Sequence, residues 1–70
     1  MHGMVNLRIF IADGAGKHHE MIRMSSEVVP RVGEGLRSTE SSLIVTSVVY
    51  EVRSKPVSID TVEIYTERTE

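Results

Sequence analysis

The sequence predicts an all-β domain, a small five-stranded barrel or strongly curled antiparallel sheet. Three observations carry this. Apolar residues alternate with polar ones at period two in at least two long stretches, which is the mark of a strand with one face on a core. Turn residues separate those stretches at short intervals. No stretch holds a convincing long helical period. A flat sheet of this size would leave an apolar face wet, so the sheet is expected to curl on itself.

The first strand is "VNLRIFIA", residues 5 to 12, with Val5, Leu7, Ile9 and Ile11 on one face and Asn6, Arg8, Phe10 and Ala12 on the other. "DGAG" follows, and Asp13, Gly14 and Gly16 supply the conformations a hairpin loop needs. Residues 17 to 29 are read as a returning strand through about residue 25, because the hairpin needs a partner. A helical turn over Ser25 to Val29 is the alternative.

"VVPRVGEGLR", residues 28 to 37, is read as a corner: Pro30 biases Val29 to extended backbone, and Gly33 and Gly35 permit tight turning. After the polar loop "RSTESS" comes the strongest strand, "SSLIVTSVVYEVR". Its apolar positions are 43 and 45, then 48, 50 and 52, so the alternation slips at Thr46-Ser47. One inserted residue of that kind predicts a β-bulge, which bends a strand as a curled sheet requires. Pro56 marks the next turn, and "SIDTVEIYTE" closes the sheet with Val62 and Ile64 inward and Glu63, Tyr65 and Glu67 outward. The 70 residues are read as one domain, with a flexible leader at 1 to 4, a frayed tail at 67 to 70, and Met4 as an alternative start.

Composition narrows the function. There is no cysteine, hence no disulfide framework and no thiolate metal site, and a reducing, cytoplasmic setting is expected. No secretory signal is recognised at the N-terminus, and the longest apolar runs are only three or four residues, so no membrane association is expected. Eight basic residues are dispersed among ten acidic ones at a net charge of −2, which disfavours a nucleic-acid partner. Phe10, Tyr50 and Tyr65 are the whole aromatic complement, too few for a base-stacking platform.

The one cluster with chemical potential is "DGAGKHHE". It fails as a phosphate loop, since Ile11 stands where a glycine is required and His18 where a serine or threonine is required. Asp13, His18 and His19, with Glu20, are the residue types that hold zinc. Adjacent strand residues point to opposite faces, however, so His18 and His19 are not expected to converge. A serine nucleophile would need one of His2, His18 or His19 as its base. The serine pairs at 25 and 41 lie in turns, and Glu34 and Glu40 read as a solvated rim. No catalytic residue, metal site or cofactor is therefore assigned.

The corner "VPRVGEGLR", the strand "IVTSVVYEV" and the strand "VEIYTE" together resemble small SH3-like β-barrel proteins of bacteria and their phages and plasmids. Leu43 departs from that pattern, where an aromatic is usual. The resemblance covers about half the chain; it implies a fold and hardly constrains a role, since many such proteins are uncharacterised and others are adaptors.

The expectation is a non-enzymatic interaction module that forms a homo-oligomer or joins a larger assembly, because a small core and exposed strand edges favour association. Phe10, Met21 and Tyr65 are the candidate interface residues. A nucleic-acid-binding barrel, and a small metal protein or enzyme using Asp13, His18 and His19, are the alternatives.

Overall fold

The structure, a computed structural model, describes residues 3–69. Among the described residues there are five strands and no helix: β1 (Val5–Ala12), β2 (His18–Ser26), β3 (Gly35–Arg37), β4 (Ser42–Ser54) and β5 (Val57–Arg68). They form one sheet in the order β2-β1-β5-β4-β3, curled into a half-barrel. Both His18–Ser26 as a strand and the absence of a helical turn after it settle the alternatives for residues 17 to 29. Ser26 instead makes a short turn, its hydroxyl accepting the Val28 N–H at 3.0 Å.

Three of the four pairings are antiparallel, and the central one, β1 with β5, is parallel. That follows from the route of the chain. After β2 it crosses the concave face through residues 27–34, then returns inward by β3 and β4 until β5 arrives beside β1. The crossing ends at Gly33, whose φ of 93° only glycine adopts without strain. Gly33 donates its N–H to the Val45 carbonyl, and the Val45 N–H donates to the Glu34 carbonyl, both at 2.9 Å. The corner expected from "VVPRVGEGLR" is thus a strap laid over the sheet and tied to β4.

Alternation places the core. Leu7, Ile9, Val62 and Ile64 face inward from the two central strands, in register as Leu7 with Val62 and Ile9 with Ile64. Val45 and Leu43 join them from β4, while Val29 of the strap and Leu36 of β3 close over the cluster. Thr66 is the one buried polar residue among those described, and its hydroxyl donates to the Phe10 carbonyl at 2.8 Å.

The bulge expected at Thr46-Ser47 is present: Val45 pairs with Thr66 and Ser47 with Tyr65, leaving Thr46 over. Its hydroxyl donates to the Tyr65 carbonyl at 3.2 Å. Two more irregularities have no such signature in sequence, one at Met21 on β2 and one at Asp60 on β5. At the chain ends, Met4 lies just ahead of β1, and β5 continues to Arg68. Glu67 and Arg68 continue β5, and Thr69 donates its N–H to the Ser42 carbonyl at 3.1 Å, so these residues are tied to β4 in place of the expected frayed tail. Residues 1, 2 and 70 of the expected leader and tail lie outside the described residues.

Candidate functional site

Each strand presents its even-odd pattern to two different environments, and chemistry-bearing side chains collect on the outer face. Phe10 and Tyr65 are register partners on β1 and β5, and their rings stack at 4.9 Å with an interplanar angle of 12°. His18 meets Tyr65 edge-on at 5.1 Å, and the Arg8 guanidinium lies 5.1 Å from the Phe10 ring centre. The far side of the sheet is therefore covered locally by this aromatic pair, and Phe10 is half-buried without entering the core.

An ion network continues from it. Arg8, on the middle of three strands, reaches Glu20 on β2 at 2.7 Å and Glu63 on β5 at 3.4 Å. Glu20 also binds Arg23, and Tyr65 donates its hydroxyl to Glu63 at 2.9 Å. The Arg23 and Arg8 hydrogen bonds hold the Glu20 carboxyl down at about 2. The Glu63 carboxylate beside it pushes the Tyr65 phenol up.

Because the folded-state value for Glu20 lies below its ordinary 4.5, this group favours the folded state above that pH. The contribution is lost as pH falls from 4.5 towards 2. The thermal midpoint is thus expected to drop across that window, and Glu20→Gln to flatten the drop. Circular dichroism melts at stepped pH check it, and an unchanged slope in the variant would refute the assignment.

On the opposite side of the sheet His19 pairs with Asp13, Nε2 to Oδ2 at 2.6 Å. The same aspartate accepts the N–H groups of Ala15 and Lys17 at 2.8 and 3.0 Å, so it also builds the turn. The His19 bond first, then those two amides, hold its carboxyl below the usual range. The pair opens on a groove of ≈ 720 Å³ that Glu67 and Arg68 also line. A base with its orienter is two-thirds of a nucleophilic triad, but no serine, threonine or cysteine lines this groove. His18 and His19 diverge to opposite faces as alternation requires, and no group of three or more metal-ligating side chains occurs among the described residues.

Of the candidate interface residues, Phe10 and Tyr65 come together and Met21 does not join them. Met21 lies on the bulge of β2 and faces the turn between β3 and β4, near Ile11 and Ser41 on the concave side. The bulge, which no sequence pattern announced, is what sends it there.

A larger apolar surface lies on the β4–β5 hairpin. β1 pairs with β5 only from Thr61 onward, so the β4–β5 hairpin projects beyond its neighbours as an arm, in a molecule 41 Å long and 18 Å thick. Tyr50, Val52, Val57 and Ile59 share the concave-side face of that arm and all four are exposed, Val52 at 64% and Val57 at 79%. Arg53 and Asp60 form an ion pair on the arm at 3.0 Å. Alternation puts Tyr50 and Val52 in phase with Val48; that the sheet ends before reaching them is a matter of strand length, which alternation does not encode.

No protein family, curated protein or solved structure matches this chain. Among the described residues no helix is long and apolar enough to cross a membrane.

Proposed function

We propose that the protein is a non-enzymatic interaction module that works by self-association. The observation that carries this is the excess of surface. The chain exposes 5257 Å², whereas a folded monomer of its mass exposes about 4,400 Å². The surplus of about 900 Å² is close to the roughly 800 Å² that each partner contributes to a standard interface. The radius of gyration, 12.8 Å, likewise exceeds the about 11 Å of a compact chain this long. The surplus is apolar where it is largest, on the arm, and uncovered apolar surface is what association removes from water.

A nucleic-acid role has less support, since Arg8, Arg23 and Arg53 are each bound to a carboxylate and so offer little free charge to a phosphate backbone. The cysteine-free chain is in keeping with a reducing, cytoplasmic setting.

Sedimentation of the native chain over a range of concentrations tests the reading. A reversible dimer or higher species is expected. A monomer persisting at about 1 mM, where even weak association is populated, would refute it.

A further inference from the structure

Resting on that self-association, we propose where it happens: a second copy of this chain docks along the open edge of β4 from Ser47 to Ser54, pairing its own β4 antiparallel so that two sheets become one. β4 has thirteen residues, but β3 covers only Ser42 to Ile44 and the strap's bonds end at Val45. From Ser47 on, no strand lies on that side among the described residues. That is about 27 Å of backbone, with the N–H and C=O groups of alternate residues directed outward.

Edges of this kind are blunted in stable monomers by lysine, proline, bulges or brevity. The other two edges carry such devices. β3 is three residues long, and β2 is bulged at Met21 and carries Glu20 and Arg23. Along Ser47 to Ser54 there is no proline and no lysine, and the bulge of β4 itself lies ahead of the segment at Thr46. "SVVYEV" is instead the β-branched and aromatic composition that pairs strands well.

The segment also complements itself. Glu51 and Arg53 flank Val52, so a two-fold axis through Val52 sets Glu51 opposite the partner's Arg53, and Arg53 opposite the partner's Glu51. Opposite charges directly across a strand pair are favourable, and the alternative axis through Glu51 would oppose like charges. Around the Val52 axis the uncovered faces of both arms, Tyr50, Val52, Val57 and Ile59, come together on one side of the joined sheet. No charged residue interrupts that stripe.

A cysteine-free chain makes the test direct, because one introduced thiol reports one position. Val52→Cys is expected to form a disulfide-linked dimer rapidly on mild oxidation, since opposed strand residues have the Cβ spacing a disulfide needs. Met24→Cys on the β2 edge is expected to link far more slowly. Val52→Lys, at a site already exposed, should keep the fold by circular dichroism and weaken dimerisation by about tenfold or more. Cross-linking favoured at position 24, or a Val52→Lys chain that dimerises as tightly as the native one, would overturn the β4 edge while leaving self-association standing. A native chain that sediments only as monomer would remove both.

Discussion

Replacing Ile64 with alanine is expected to cost about 3 kcal/mol, a large fraction of the roughly 4–10 kcal/mol that holds a domain of this size together. Ile64 is 0% exposed on β5, with Ile9 beside it on one side and Val48 on the other. The core around it is one small cluster, so the hole left by three missing carbons has few neighbours able to move in. Urea unfolding followed by circular dichroism measures the loss. Val57→Ala, at the exposed tip of the arm, provides the contrast and should shift the midpoint by less than about 0.5 kcal/mol. Equal effects of the two substitutions would mean that the core is not where Ile64 and Val62 lie.

Deleting Thr46 is also expected to destabilise the fold, although no apolar side chain is removed. Thr46 is the extra residue between Val45 and Ser47. Without it the period of two runs unbroken and Leu43, Val45, Val48 and Tyr50 keep one face, so what is lost is the bend and extra twist the bulge gives β4. The curl that brings Leu43 and Val45 over Val62 and Ile64 depends on that bend, and the deleted chain should be less stable by about 2 kcal/mol in urea unfolding. Thr46→Val keeps the residue count and loses only the hydroxyl bond to the Tyr65 carbonyl, at a cost of about 1 kcal/mol. A deletion no worse than that substitution would show that the bulge is dispensable.

Those two residues also mark what a one-dimensional string reveals. The bulge was legible because it breaks a local pattern: positions 43 and 45 disagree in parity with 48, 50 and 52. The bounds of β1 and the inward face of Val62 and Ile64 were legible for the same reason. The parallel pairing of β1 with β5 was not, because register between residues 55 positions apart, such as Arg8 and Glu63, leaves no trace in either segment alone. The candidate sites divide the same way. Alternation told that His18 and His19 diverge, whereas the meeting of Asp13 with His19 depends on how the turn closes. Phe10 and Tyr65 were singled out as aromatic residues turned away from the core; that they touch each other follows only from strand order.

The strand order bears on how the chain reaches this state. Its central strand, β5, follows all the others along the sequence and pairs with the first, β1, so the middle of the sheet is assembled from residues that emerge far apart in time. The β1–β2 hairpin is complete by residue 26 but has no inner neighbour until Thr61 to Thr66 arrive. A chain still in synthesis therefore holds Leu7 and Ile9 in water, and contacts of such long separation form slowly. During that interval the nascent hairpin is open to pairing with whatever strand is nearest, and protection by a chaperone, or the speed with which Thr61 to Thr66 follow, becomes part of what determines the yield of folded protein.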